Sequence, residues 1–321
     1  MKKGKGFAVF FLVILFLYGC TGVPSVEVLL EKYPHSTEFP IEAPTLKIYF
    51  PSFTDDSWSE ENNRVIGGDG SVIILPDDQV MIVDGFYNEA SEDYIDFIKS
   101  LGIKHIDYLV LTHFHSDHSG TLPELIEMFD IDVIYTNGAY TDTAPTRRLL
   151  ECIKENDVTE IVIKEGDIFS VGDCTITVYS PDLSEKDLYN VYHNPGKTAK
   201  MINDTSLVFK LEYDTFSVLF AGDVYKDRDR QITEKYGEEL KSTILKLPHH
   251  GEFYTANSLS FAETVQPEYG IVMDNRYVST MGSIVSNRYA LSGGKVLYRN
   301  SAGFIFLESD GTSYSISEKD F

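Results

Sequence analysis

The chain has 321 residues, 43% of them hydrophobic and 24% charged, with 23 glycines and 12 prolines. That composition supports a full globular core and excludes collagen-like, low-complexity and wholly disordered chains. Lysine and arginine number 27 against 50 aspartates and glutamates, a net charge of −23. The field of the whole molecule therefore repels polyanions and speaks against nucleic acid as a partner.

Lys2, Lys3 and Lys5 precede an apolar run from Phe7 to Tyr18 that ends at Gly19-Cys20. The run is too short to span a bilayer comfortably; a basic start, a short apolar stretch and a small residue before the cut describe a secretory signal peptide over residues 1–19. Leu17-Tyr18-Gly19-Cys20 resembles a bacterial lipobox. On that reading Cys20 carries lipid and anchors an extracytoplasmic protein to the membrane; a plain signal peptide and a secreted product are the alternative. Residues 20–44, with several prolines and no sustained periodicity, read as anchor and tether, and the folded domain as residues 45–321. Cys152 and Cys174 are the other cysteines, and a disulfide between them is left open.

From Thr45 on, short β-rich runs alternate with amphipathic stretches. Strands are predicted at Leu46–Phe50, Ser71–Leu75, Val80–Asp84 and Tyr108–Thr112, each rich in Val, Ile, Leu or Tyr and bounded by Gly, Asp or Pro. Tyr94, Phe97, Ile98 and Leu101 recur at helical spacing and predict a helix over Glu89–Leu101, closed by Gly102; a second fits Thr121–Phe129. Further strands are predicted at Val133–Tyr135, Thr175–Tyr179, Ser206–Leu211, Ser217–Ala221, Thr243–Leu247, Gly270–Met273, Val296–Tyr298 and Phe304–Leu307. Strand clusters separated by helices on a chain of this size predict an α/β fold of two sheets between helical layers. Trp58, Phe86 and Tyr87 are candidates for an aromatic pocket rim, with burial in the core as the plainer reading.

The chemistry is concentrated in Thr112-His113-Phe114-His115-Ser116-Asp117-His118-Ser119-Gly120, where an apolar strand ends and a helix begins. In an extended segment, side chains two apart share a face, so His113 and His115 point one way while Asp117 and His118 swing round on the turn. The spacing offers two adjacent pockets lined by imidazole and carboxylate, the ligands that Zn²⁺ takes. Two more strand ends carry the same ligand types, Ala221-Gly222-Asp223 and Pro248-His249-His250-Gly251. A sandwich gathers such loops along one edge.

These segments resemble the metallo-β-lactamase-fold hydrolases, whose His-x-His-x-Asp-His signature is met by His113, His115, Asp117 and His118. The likeness extends from Gly67-Gly68-Asp69-Gly70-Ser71 through Ile82-Val83-Asp84-Gly85 and Asn203-Asp204-Thr205-Ser206 to Pro248-His249-His250-Gly251. It is strongest to the branch holding the C-terminal domain of the DNA-uptake protein ComEC, with phosphorylcholine esterases similar in motif. The resemblance implies a four-layer αββα sandwich holding one or two Zn²⁺ ions, Mn²⁺ being the alternative. His113 and His115 would hold one metal, Asp117, His118 and His250 a second, with His249 the alternative to His250, and Asp223 would bridge them. Asp117 would also orient or relay the proton of the attacking hydroxide, His249 would touch substrate, and Asp84 would orient the histidine loop from behind. Many relatives place a further His on the first metal before the bridging Asp. Here the segment reads Met201-Ile202-Asn203-Asp204-Thr205-Ser206, with Asn203 or Asp204 as oxygen-donating substitutes or water in the position, so one-metal and two-metal centres both stay open. His193 is a remote stand-in, and His35 and His105 are expected at the surface.

The expected function is extracytoplasmic, metal-dependent hydrolysis of a small or surface-displayed phosphoester by a metal-activated hydroxide. The alternatives are a ComEC-like nuclease, a β-lactam, amide or ester hydrolase, and a non-catalytic metal-binding lipoprotein. Arg147-Arg148 and the Lys226–Arg230 segment are interspersed with acids and form no phosphate-tracking groove. The stretch Gly282–Leu291 also lacks the His-Pro of ComEC relatives.

Overall fold

A computed structural model describes residues 44–53, 67–194, 199–273, 278–299 and 302–321, with backbone only for 278–282. Residues 1–43, on which the signal-peptide, Cys20-anchor and tether expectations fall, and Trp58 lie outside the described residues. Those described fall within one compact unit, Ser36–Phe321.

Among the described residues, fifteen strands form two mixed sheets. The first runs β15 (Tyr314–Lys319), β14 (Gly303–Ser309), β1 (Leu46–Ser52), β2 (Ser71–Ile74), β3 (Val80–Val83), β4 (His105–Val110), β5 (Asp130–Thr136), β6 (Thr159–Val162). It is antiparallel as far as β3 and parallel from β3 to β6. The second runs β13 (Lys295–Tyr298), β12 (Tyr269–Val272), β11 (Ile244–Lys246), β10 (Phe216–Phe220), β9 (Val208–Tyr213), β8 (Cys174–Ser180), β7 (Ile168–Val171). Here β10 to β13 are parallel and the rest antiparallel.

Period-two alternation decides which side chains meet. On β1, Phe50 faces the second sheet, its ring 6.5 Å from Phe220, while Tyr49 faces outward with its ring 6.0 Å from Phe97. Phe97 belongs to helix α1 (Ser91–Ser100), which buries Tyr94, Ile95, Phe97 and Ile98. On β10, Phe216, Val218 and Phe220 join the core shared by both sheets, and Leu219 packs outward with Leu245, Phe261 and Val265. Helices thus cover the outer faces, and the four-layer αββα sandwich is the fold. Burying a Leu- or Phe-sized side chain contributes about 1.5–3 kcal/mol, so these interleaved rows supply most of the rigidity on which a loop-built site depends.

The predicted strands are present, that at Ser206–Leu211 beginning later, at Val208, because Ser206 N donates to Asn203 O at 3.0 Å and closes a turn. Three strands were not anticipated. β6, β7 and β15 are short or edge segments with largely half-buried or exposed side chains, so they lack the apolar runs that mark a central strand. Phe86 is core: it is buried, lies 4.9 Å from the Tyr94 ring, and presses so close to Gly70 that a Cβ there would sit 2.3 Å from its ring. Cys152 and Cys174 are separate, buried free thiols. No helix among the described residues is long and apolar enough to cross a membrane.

Candidate metal centre

The site lies where parallel strands of both sheets end, the edge at which open α/β sheets gather their functional loops. Val83 of β3 pairs with Val110 of β4, and the chain then leaves the sheet at Asp84 on one strand and Leu111-Thr112 on the other. Asp84 Oδ1 accepts from Thr112 N at 2.8 Å, and its Oδ2 accepts from Thr112 Oγ1 and His118 Nδ1, each at 2.8 Å. One buried carboxylate therefore ties the strand end to the histidine loop and directs His118 Nε2 the other way. His118 rides on a short helix, α2 (Ser116–Ser119), begun when His115 O accepts from His118 N and Ser119 N. Gly68 makes room beneath this turn. It adopts φ +114°, and a Cβ there would lie 2.3 Å from Asp117 O. That approach lets Asp69 N donate to Asp117 O at 3.0 Å.

The second sheet supplies the opposite wall. Phe220 of β10 pairs with Lys246 of β11, after which the chain reaches Asp223 through Gly222 and His250 through Pro248. His249 and His250 take the left-handed conformation, with φ 49° and 52°. This tight turn sends their rings in different directions.

The ligand nitrogens converge on one oxygen. Asp223 Oδ2 lies 3.3 Å from His118 Nε2, 3.4 Å from His250 Nε2 and 3.9 Å from His113 Nε2. His113 Nε2 is 3.1 Å from His115 Nδ1, and His250 Nε2 is 3.2 Å from Asp117 Oδ2. All six residues assigned as ligands from the sequence are thus brought together, and His250, not His249, enters the cluster. Ligand atoms of Asp69, His118, Asp223 and His250 all lie within 4.8 Å of one another. Asp69 stands in the Gly67–Ser71 stretch of the resemblance but carries no role there; its place at the centre depends on a contact with His250, 181 residues away, whose Nδ1 donates to Asp69 Oδ1 at 3.1 Å.

The electrostatics suit a cation. Burial disfavours a charged His118, but Asp223 and Asp84 outweigh it and raise its pKa to about 10. His250 likewise rises to about 10, burial being overcome by Asp223 and by its hydrogen bond to Asp117. Burial tends to raise Asp117 and Asp223, yet the neighbouring His118 and His250 hold both below the usual carboxylate range. His113 falls well below the ordinary histidine value through burial and the adjacent His118, and burial also lowers His115. His118 Nε2 and Asp223 Oδ1 are buried without a well-formed hydrogen bond. Imidazole nitrogens and carboxylate oxygens left so poorly satisfied by one another are the donor set a borderline divalent metal takes, and the residues fit such an ion.

The remaining candidates separate cleanly. Asn203 ends the short helix Ala199–Asn203, is buried, lies against His115 and the Tyr225 hydroxyl, and has an Oδ1 without a well-formed hydrogen bond. Asp204 turns away to ion-pair with Lys200 and to accept from Tyr225 N at 3.1 Å. His249 Nδ1 is 2.9 Å from Thr255 Oγ1, and its ring is 5.0 Å from that of Tyr225. Burial lowers its pKa to about 4, so it is neutral at physiological pH. His193, at the end of the helix Glu185–His193, packs against Tyr189 and Tyr192. His105 sits half-exposed beside Asp107, Asp130 and Asp132 at the opposite end of β4.

A sandwich with histidines and carboxylates gathered at one edge defines a class, and the sequence comparison agrees. The profile described as "Metallo-beta-lactamase superfamily" matches residues 65–257, and the chain belongs to that superfamily. Among curated relatives, it is 26% identical to ComE operon protein 3 of Bacillus subtilis (strain 168) over 186 residues, 57% of this chain and 22% of that protein. The chain therefore spans about a fifth of that relative's length. It is 24% identical over 181 residues to hydroxyacylglutathione hydrolase of Aliivibrio salmonicida (strain LFI1238), covering 50% of this chain and 68% of that one. Among solved structures, the metallo-beta-lactamase fold protein YhfI from Bacillus subtilis superposes with a TM-score of 0.51 at 12% identity, covering 82% of this chain and 99% of its own. At that identity the likeness concerns the fold.

Proposed function

We propose that the chain is a metal-dependent hydrolase of a small or surface-displayed phosphoester, exported and held at the membrane through lipid on Cys20. The observation that carries the chemistry is the convergence of His113, His118 and His250 on Asp223 Oδ2, with His115 and Asp117 adjoining. On this reading His113, His115 and Asp223, with Asn203 beside them, hold one divalent ion, and Asp117, His118, Asp223 and His250 hold another. Bound there, such ions supply Lewis-acid polarisation of the ester and a water acidic enough to act near neutral pH.

The chain's own groups do the rest. Asp117 is the most exposed carboxylate of the set, its side chain 15% accessible, and is placed to accept and pass on the proton of attacking water. His249, neutral and fixed by Thr255, offers a hydrogen-bonding edge to substrate without adding charge. Asp84 keeps His118 in one tautomer and orientation. The net charge of −23 favours a compact substrate over a polyanion, since the field of the whole molecule repels a long nucleic acid. Similarity to a hydroxyacylglutathione hydrolase across most of its length favours a second reading, a hydrolase of acyl thioesters or esters.

Purified protein loaded with Zn²⁺ or Mn²⁺ and offered phosphomonoesters, phosphodiesters, phosphorylcholine esters, an acylglutathione, a cephalosporin and plasmid DNA separates these readings. Turnover is expected on a small phosphoester; turnover confined to the acylglutathione or to DNA would replace the proposed substrate class. Palmitate labelling that disappears in Cys20→Ala is expected if the anchor is lipid.

A further inference from the structure

Lys246 occupies a place that hydrophobic burial alone would not give it. It ends β11, whose three residues are all buried, and alternation sets it on the same face as Ile244, which packs between the sheets. A buried ammonium is costly unless carboxylates and hydrogen bonds surround it. Lys246 has both: its Nζ ion-pairs with Asp69 Oδ2, donates to Gly222 O at 3.2 Å and lies 3.8 Å from Asp223 Oδ1.

Both carboxylates have their second oxygen on the centre. Asp69 Oδ1 accepts from His250 Nδ1 at 3.1 Å, and Asp223 Oδ2 faces the three histidine nitrogens. The one cation thus grips the rear oxygen of two acids whose front oxygens orient, or act as, the candidate ligands. We propose that Lys246 is a positioning residue of the metal centre, a fixed internal cation that braces His250 through Asp69 and turns Asp223 so that its Oδ2 meets the metals. The inference rests on the ligand assignment proposed above. It explains why Asp223 can carry nitrogens on one oxygen only, and why His250 keeps its Nε2 forward.

The test is Zn²⁺ affinity, measured on the full chain by competition with a chromophoric chelator. Lys246→Met is expected to bind Zn²⁺ about 10- to 100-fold more weakly with an unchanged far-UV circular dichroism spectrum, the range typical for loss of an outer support of a ligand. Lys246→Arg, which keeps the charge, is expected to recover most of that loss. Because Lys246 acts in part through Asp69, Asp69→Asn combined with Lys246→Met is expected to lose less than the sum of the single effects. Unchanged affinity in Lys246→Met, or strictly additive losses in the double variant, would overturn the proposal. Should Lys246→Met not fold, Asp69→Asn carries the same expectation, and wild-type affinity there overturns it. His118→Ala serves as reference. If it loses Zn²⁺ while Lys246→Met does not, the brace alone fails; if neither loses Zn²⁺, the ligand assignment fails.

Discussion

Asp223→Ala is expected to lower turnover of the best substrate by at least about 10³-fold while leaving the fold intact. Among the described residues, Asp223 is the one that faces His113, His118 and His250 together, so its removal opens both proposed metal positions at once. The Lewis-acid contribution of bound metal amounts to several kcal/mol, and each 1.36 kcal/mol is a factor of ten in rate. The alanine also leaves imidazoles that Asp223 held charged without that counter-ion. Parallel loss of bound metal in the same preparation, by elemental analysis, distinguishes a ligand from a distant structural residue. An Asp223→Ala protein that turns over substrate at the wild-type rate would remove the basis of the proposed chemistry.

The second large effect is a metal-dependent stability that depends on pH. In the metal-free protein His118 and His250 have pKa values raised to about 10. Their contribution to stability is full below the unfolded value near 6.5 and is lost as pH rises through about 10. His113, His115 and His249 are lowered, His249 to about 4, so their contribution has the opposite sign: present above about 6.5 and lost as pH falls. The metal-free melting temperature is therefore expected to be highest near neutrality. Metal taken up by His118 and His250 must displace their protons, so with both engaged, affinity should rise roughly a hundredfold per pH unit between about 6.5 and 10. Zn²⁺ at about 1,000 times its dissociation constant stabilises by about 4 kcal/mol, which in a domain of this size is about 10 °C in melting temperature. Scanning calorimetry of loaded and metal-free protein at several pH values should show the gap widening toward alkaline pH. A Zn²⁺ affinity independent of pH would contradict proton displacement at these two histidines.

What was readable in the sequence and what was not follows from range. His113, His115, Asp117 and His118 lie on one strand end and one turn, so their convergence is a local property that spacing reveals. The central strands were equally plain, because β3 and β10 are buried along their whole length and show as apolar runs. The edge strands β6, β7 and β15 have mixed, half-exposed faces and left no such mark. Choosing between Asn203 and Asp204, or between His249 and His250, required backbone direction. A left-handed turn sends His250 inward and His249 toward Thr255, while Lys200 and the Tyr225 amide draw Asp204 outward. Asp69 and Lys246 were hidden for a further reason. Each reads alone as a turn carboxylate or a strand-end lysine, and only packing of one sheet on the other makes them a buried pair at the centre.

The most direct measurement is a crystal structure of Zn²⁺-loaded protein with anomalous data collected on both sides of the zinc absorption edge. One or two strong edge-specific peaks are expected against Asp223 Oδ2, flanked by His113 and His115 on one side and by Asp117, His118 and His250 on the other. A fully loaded, folded protein whose peaks lie elsewhere, with none in contact with Asp223, would contradict the ligand set.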